Sequence, residues 1–273
     1  MPEKPEVITV ARKLETKLIG KKILSVDVFH NNMVDYPTID EFKERIKNQK
    51  IYEITTRGKW IVMTLDDYYL LFHLRMEGKF FFRTKNDEKN KHEHVIFNLE
   101  NDEQLRFADV RKFGKVMLIE KDKIYSMKPY TELGLEPWDK NLSSEYLKEK
   151  YSKKSLPIKS VLLDQSIITG IGNIYADEIL FLSSINPLTK AKDLTDKNRK
   201  DIIVNTVKVL DKAIEEGGTT IRSYTSEEGV TGLFQNNLNV HQREKEECRV
   251  CKSIIIKIKV GGRGTYYCPK CQK

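Results

Sequence analysis

Apolar residues recur at three- and four-residue spacing between residues 3 and 19, where Val7, Val10, Ala11, Leu14 and Leu18 share one helical face and Gly20 follows as a stop signal. From residue 21 to about 120 the period changes. Short runs rich in β-branched and aromatic residues (KILSVDVF, IYEITTRGKWIVMTL, YYLLFHL, GKFFFRT, HVIFNL, QLRFAD and GKVMLIE) are separated by turn signals at NN, DD, KNDEKNK and ENDEQ. Many short strands with tight turns predict a β-sandwich or barrel. After Pro129 helical spacing returns in SSEYLKEKYSKKS, LPIKSVLLDQS, NIYADEILFLSSI and LTDKNRKDIIVNTVKVLDKAIEEG, and Asn186-Pro187 breaks the chain between the last two. A loop rich in Gly, Ser and Thr occupies 217–233, and a small cysteine-bearing β unit comes last. The pattern predicts an α+β protein with a β-rich domain over 1–130, a helical domain over 131–235 and a metal-held tail over 236–273.

Composition narrows the partners. The 273 residues carry a net charge of +8, and mean hydropathy is -0.52. No run approaches the roughly 18–20 apolar residues of a membrane span, so no membrane partner is expected. The N-terminal MPEKPEVITVARKLE holds charges where a signal peptide needs an apolar run, so export is not expected either. Basic charge favours a polyanion such as nucleic acid, although lysines coating solvated faces give the same count. Distribution tells more: residues 241–273 hold nine Lys/Arg against three Glu, so +6 of the +8 lies in the tail.

All four cysteines lie there too, as Cys248, Cys251, Cys268 and Cys271 in a C-x2-C-x16-C-x2-C pattern. Two thiolate pairs at this spacing close a tetrahedral zinc site across a hairpin, and the metal then supplies folding energy that so short a tail cannot find in a core. Two disulfides or free thiols are the alternatives, and disulfides need an oxidising compartment. Four protein thiolates leave no open coordination position, so one structural Zn2+ is expected. Between the pairs, KIKVGGRGTYY puts Arg263 at a glycine-rich tip, from which a guanidinium can grip a phosphate or simply stand in solvent.

Pro2 follows the initiator Met, and a small second residue commonly permits removal of that Met. The chain would then begin with a secondary amine of pKa about 7.7–8.0, against about 10.4 for lysine. Such an amine is substantially unprotonated at neutral pH and can attack carbon as a lysine does in Schiff-base chemistry. Glu3 adjoins it as a candidate proton shuttle, with Glu6 one turn on. From these residues alone an ordinary helix opening, with acids near the helix N-terminus, is the simpler reading.

Three motifs together change that balance. MPEKPEV at the start, TGIGNIYADE at 169–178 and GRGTYYCPKC at 262–271 resemble the formamidopyrimidine-DNA glycosylase family of bacterial base-excision repair enzymes, which includes an endonuclease VIII-like branch. The resemblance runs the length of the chain in the expected order. It implies an N-terminal β-sandwich with flanking helices, a helix–two-turn–helix domain with a four-cysteine zinc finger, and damaged duplex DNA held between them. It implies Pro2 as nucleophile, Glu3 as acid/base, Lys59 of RGKW as a phosphate contact beside the lesion and Arg263 as the zinc-finger phosphate clamp. His92, Lys154 and Asn173 match positions that contact the DNA backbone, and either of the first two could instead be a surface residue.

Met76 of HLRMEG, with Arg111 and Phe113 of DVRKFG, matches the residues that fill the gap left by an extruded nucleotide. Taken alone, Met76 and Phe113 read as core residues. Extrusion costs a few kcal/mol, and an apolar wedge offsets part of that. The full trio resembles the formamidopyrimidine/8-oxoguanine branch, as does GGTTIRSY at 217–224, where Thr219, Arg222, Ser223 and Tyr224 match a loop that closes over the flipped purine. Glu77 is placed near that pocket. Two residues depart from the family pattern: Lys4 stands for the usual leucine and Ile8 for the usual glutamate. The function expected is a monomeric, cytoplasmic, nucleoid-associated glycosylase and abasic-site lyase for oxidised purines. The alternatives are a pyrimidine-preferring relative and a non-catalytic zinc-ribbon DNA binder.

Overall fold

The computed structural model describes residues 1–219 and 233–273, in two compact units. The first, Met1–Thr131, holds α1 (Lys4–Leu18), β1 (Lys22–Val28), β2 (Val34–Tyr36), α2 (Ile39–Arg45), β3 (Gln49–Lys50), β4 (Glu53–Arg57), β5 (Trp60–Thr64), β6 (Tyr68–His73), β7 (Lys79–Thr84), β8 (Glu93–Leu99), β9 (Glu103–Ala108) and β10 (Lys115–Glu120). The strands form two five-stranded sheets, in the orders β3-β1-β8-β9-β7 and β2-β10-β6-β5-β4. Phe72 of β6 packs edge-on against Phe80, Phe97 and Phe107 of the other sheet, with ring centroids 4.9–5.6 Å apart. The two sheets therefore face each other across a shared core, a β-sandwich.

Helix α1 is part of that core. Val7, Val10, Ala11, Leu14 and Leu18 are buried in the same apolar cluster as Ile54, Ile61 and Phe72. Burying each Val or Leu is worth roughly 1.5–3 kcal/mol, so detaching the helix would forfeit an amount comparable with a domain's whole stability. Helix α2 has no counterpart in the apolar pattern, because Phe42 is its one buried residue. Its signal is the TIDE capping box: the Thr38 hydroxyl accepts the Glu41 N–H, and the Glu41 carboxylate accepts the Thr38 N–H at 3.3 Å.

Arg106, on β9, is only 2% exposed, and it uses every donor of its guanidinium. Nε donates to Gln104 (2.8 Å), Nη1 to the Glu93 carboxylate (2.9 Å) and the Glu88 carbonyl (3.1 Å), and Nη2 to the carbonyls of Thr84 (2.9 Å) and Asp87 (2.8 Å). The connection between β7 and β8 is thus wrapped round one buried cation. His73, at the end of β6, is buried beside the Trp60 ring and accepts the Arg75 N–H at Nδ1 (2.9 Å). Burial, with Arg75 and Lys59 adding to it, depresses its pKa from 6.5 to about 3.

The second unit, described over Glu132–Thr219 and residues 233–273, holds α3 (Ser144–Tyr151), α4 (Ile158–Leu162), α5 (Asn173–Leu182), α6 (Asp196–Glu215) and the hairpin β11 (Ile256–Val260) and β12 (Arg263–Tyr267). Helix α6 starts at a Thr195 cap whose hydroxyl accepts the Asn198 N–H at 3.2 Å. Helix α4 is shorter than its apolar spacing suggests. The chain turns after Leu163, where the Asp164 carboxylate accepts the Ser166 N–H at 3.1 Å. Helix α5 is buried over Ile174–Phe181, acids included, so it runs through the middle of the unit. Among the described residues no helix is long and apolar enough to cross a membrane.

Replacing Arg106 by Leu strands the Glu93 carboxylate and three carbonyls, and a loss of about 3–5 kcal/mol is expected in urea unfolding. A loss under about 1 kcal/mol would mean the pair is not buried as described. His73 sets a pH dependence. The unfolded side chain takes a proton near pH 6.5 and the folded one near 3. Stability is therefore complete above pH 6.5 and is lost as pH falls through this window, by about 1.4 kcal/mol per unit. The fall between pH 7 and 5 should be about 2 kcal/mol smaller in His73→Gln than in the wild type.

Candidate functional site

Pro2 and Glu3 lie buried just ahead of α1, with Glu3 3% exposed. The Glu3 N–H donates to the Glu6 carboxylate at 2.8 Å, which fixes the first turn. Burial lowers the pKa of the terminal ammonium, here on Met1, below the ordinary α-amine value. Glu3 and Glu6 oppose that shift, Lys59 reinforces it and Glu77 opposes it weakly. The terminus thus sits within electrostatic reach of three acids and one lysine. Lys59 comes from the β4–β5 turn, where Arg57 pairs with Trp60 and Gly58 takes a positive φ of 56°. It is 6% exposed. The departure at Lys4 also has a structural part: its Nζ donates to Thr56 Oγ1 at 3.0 Å, tying the start of α1 to β4 beside that turn.

Met76 follows the left-handed Arg75 (φ 52°) in the turn after β6, and the backbone N–H of Arg75 is held by His73. Met76 is 36% exposed and Phe113 49%, so neither is a core residue. The Arg111 guanidinium stacks over the Phe113 ring at 4.8 Å. His92 borders a cavity of about 460 Å³ that Glu77, Lys79, Phe81, Arg83 and Asp109 also line. Its charge is mixed, since Glu88 and Glu93 line it as well, so acids outnumber Lys79 and Arg83.

In the second unit Asn173 is the first residue of α5, with Gly172 as its cap. Its Nδ2 donates to the Gly264 carbonyl of the hairpin at 3.0 Å, and its buried Oδ1 has no partner among the described residues. Lys154 pairs with Asp164 at 3.1 Å, both about one-third exposed. Thr219 is buried and forms an isolated antiparallel bridge with Leu233. Arg222, Ser223 and Tyr224 lie outside the described residues. Arg263 opens β12, exposed, just past Gly261 (φ 54°) and Gly262 (φ 78°). Two positive φ angles in a two-residue loop make a type I′ turn, which glycine permits.

The sulfurs of Cys248, Cys251, Cys268 and Cys271 all lie within 4.8 Å of one another. Tetrahedral Zn–S bonds of about 2.3 Å demand separations of this order. The cysteines pack with Phe181, Val240 and Ile255. The donor set is that of one structural zinc ion, closed to substrate.

No motif marks the groups that join the helices of the second unit to the segment leading into its tail. Lys159 on α4 is wholly buried; its Nζ donates to the Asn173 carbonyl at 2.7 Å and to Asp177 at 2.5 Å. The other Asp177 oxygen meets His241 Nδ1 at 2.7 Å. Glu178 accepts the backbone N–H groups of Asn239, Val240 and His241 at 2.8–3.0 Å. The available signal was the acidic pair in NIYADE, two adjacent charges inside an otherwise apolar helix.

Three family models match in succession: the formamidopyrimidine-DNA glycosylase N-terminal domain over residues 1–116, the H2TH domain of the same enzymes over 133–225, and the zinc finger found in FPG and IleRS over 245–273. Among curated proteins, the formamidopyrimidine-DNA glycosylase of Exiguobacterium sibiricum is 47% identical, covering 100% of this chain and 99% of its own. That of Oceanobacillus iheyensis is 43% identical, covering 100% and 98%. A crystal structure of a Lactococcus lactis Fpg variant with Fapy-dG DNA superposes with a TM-score of 0.93 at 38% identity, covering 100% of both chains. The wild-type Lactococcus lactis enzyme with DNA containing an oxidised pyrimidine gives 0.91 at 37%, again over 100% of both. On sequence, domain order and fold alike, the chain belongs to the formamidopyrimidine-DNA glycosylase family.

Proposed function

We propose that this protein is a bifunctional DNA glycosylase and abasic-site lyase that removes oxidised purines, 8-oxoguanine and formamidopyrimidines, from duplex DNA. The observation that carries it is the set of charged groups round the chain terminus, with buried Glu3 directly after Pro2 and with Glu6, Lys59 and Glu77 within electrostatic reach of the same end. Relatives support the substrate class: one solved complex holds Fapy-dG DNA and another, of MutM, carbocyclic 8-oxo-G DNA.

In this reading Met1 is removed and the Pro2 nitrogen attacks C1′ of the lesion nucleotide. The N–C1′ bond forms, the glycosidic bond breaks with its electron pair going to the base, and Glu3 protonates the sugar ring oxygen as the ring opens. Loss of a C2′ proton from the resulting iminium expels the 3′ phosphate. A second elimination expels the 5′ phosphate, leaving a one-nucleotide gap. Lys59 neutralises phosphate beside the lesion. Met76, Arg111 and Phe113 enter the vacated stack, with Arg111 meeting the orphaned base. Arg263, Asn173, His92 and Lys154 hold the backbone, and Thr219, Arg222, Ser223 and Tyr224 belong to the loop over the flipped base. The protein acts as a monomer in the bacterial cytoplasm, on the nucleoid. A pyrimidine-preferring variant of the same chemistry has one observation in its favour, the relative solved with an oxidised pyrimidine, and a panel of lesions opposite cytosine decides between them.

Borohydride should trap a covalent protein–DNA species whose adduct maps to Pro2 in a chain lacking Met1. Pro2→Gly should weaken trapping, and Glu3→Gln should slow base excision by roughly 10²–10⁴-fold, the usual worth of a positioned acid/base. Full activity in a chain that keeps Met1 refutes the nucleophile. Zinc is a separate handle. Chelation should release one equivalent per chain, read with a metallochromic dye, and weaken lesion-duplex binding by about tenfold or more, since the Arg263 hairpin depends on the metal. Unchanged affinity after complete release would detach the hairpin from DNA binding.

A further inference from the structure

The DVRKFG segment is built round one buried acid. Asp109 is 1% exposed. Its Oδ1 accepts the Arg111 N–H at 2.9 Å, and its Oδ2 accepts those of Phe113 at 2.9 Å and Gly114 at 2.7 Å. Its own N–H donates to the His92 carbonyl at 3.0 Å. Its carbonyl accepts the Lys112 N–H at 3.2 Å and meets His94 Nε2 at 3.0 Å.

A buried carboxylate must have its oxygens satisfied. Here backbone dipoles of the following turn satisfy them, so the acid and the turn define each other. Converging three N–H groups on one carboxyl forces a particular path. Lys112 takes a left-handed φ of 59°, a conformation that persists only where the surroundings over-determine it. A Cβ on Gly114 would lie 2.7 Å from the Phe107 ring, so the turn closes flush against the core. The side chains left outside are those of Val110, Arg111, Lys112 and Phe113, all exposed. Two of them are the stacked Arg111–Phe113 pair.

We propose that Asp109 is the positioning residue for void filling. It holds Arg111 and Phe113 raised and paired before DNA arrives, and through its own backbone it fixes them relative to His92. The assignment rests on the function proposed above. A turn already ordered inserts without having to be organised during base extrusion, so its loss should fall on the step that needs extrusion.

The test uses the full-length, zinc-loaded protein in single turnover. Asp109→Ala removes all three acceptor contacts, and Asp109→Asn keeps the shape with one acceptor oxygen. The substrates are an 8-oxoguanine duplex and the same duplex with a preformed abasic site, each with cytosine or adenine opposite. Asp109→Ala should slow 8-oxoguanine excision by about thirtyfold or more, yet slow abasic-site nicking by less than about threefold, because no base then remains to be extruded. The ratio between cytosine and adenine opposite should flatten, and Asp109→Asn should lie between. In an Arg111→Ala, Phe113→Ala background, Asp109→Asn should add little, since residues acting as a unit are non-additive. Equal losses on both substrates, an unchanged opposite-base ratio or full additivity would overturn the assignment and leave Asp109 a fold residue. If the Ala variant fails to fold, the Asn variant carries every comparison. A wild type that cuts neither duplex would overturn the underlying function and this role together. A wild type that cuts both, with selective loss only in the Arg111/Phe113 variant, removes this role alone.

Discussion

The chemistry proposed here needs the loosest part of any polypeptide, its first residue, to stay still. Termini fray unless something ties them down. Here the tie is burial: the helix that starts at residue 4 is a core element, with Val7 and Leu18 wholly enclosed. Its direction, as well as its presence, is set by the same contacts. Lys4 on Thr56 and Glu6 on the Glu3 N–H then fix the last few ångströms ahead of the helix. The two sheets of the N-terminal unit supply the rest of the apolar cluster in which that helix is seated.

A second theme is that two buried acids, Asp109 and Glu178, shape backbone by gathering N–H groups. Asp109 gathers three N–H groups, and Glu178 gathers another three from residues 239–241. Both segments are irregular and would otherwise have unsatisfied donors. The buried cations Lys159 and Arg106 each pair with one carboxylate, Asp177 and Glu93, and spend their remaining donors on backbone carbonyls. The tail solves the problem differently. It has too little apolar surface to close a core of its own, and four sulfurs round a metal take that part, with Phe181 of α5 as the apolar neighbour.

The parts legible in the sequence are those written in local periodicity or fixed spacing. Helix α1, the strand runs, α6 and the cysteine pairs each announce themselves over one short window. Helix α2 did not, because seven residues with one buried side chain carry no period. Arg106 could not be found, since its alternation on β9 reads as an outward-facing charge; the connection that covers it comes from residues 84–93, brought there by strand pairing. The Lys159–Asp177–His241 chain spans more than 80 positions, and its one local trace is the acid pair inside the apolar run of α5, which does not name its partners. Met76 and Phe113 show the reverse case, since composition makes them interior residues and the turns that hold them out in solvent are set by His73 and Asp109.

The grip of Arg106 has an evolutionary corollary. It clasps the β7–β8 connection chiefly at the peptide oxygens of Thr84, Asp87 and Glu88, and peptide oxygens are the same whatever residue bears them. The path of that stretch is thereby insulated from its spelling. Between the anchoring guanidinium and Glu93, substitutions can accumulate at Lys85, Asn86 or Lys89 with little effect on where the neighbouring histidine is presented.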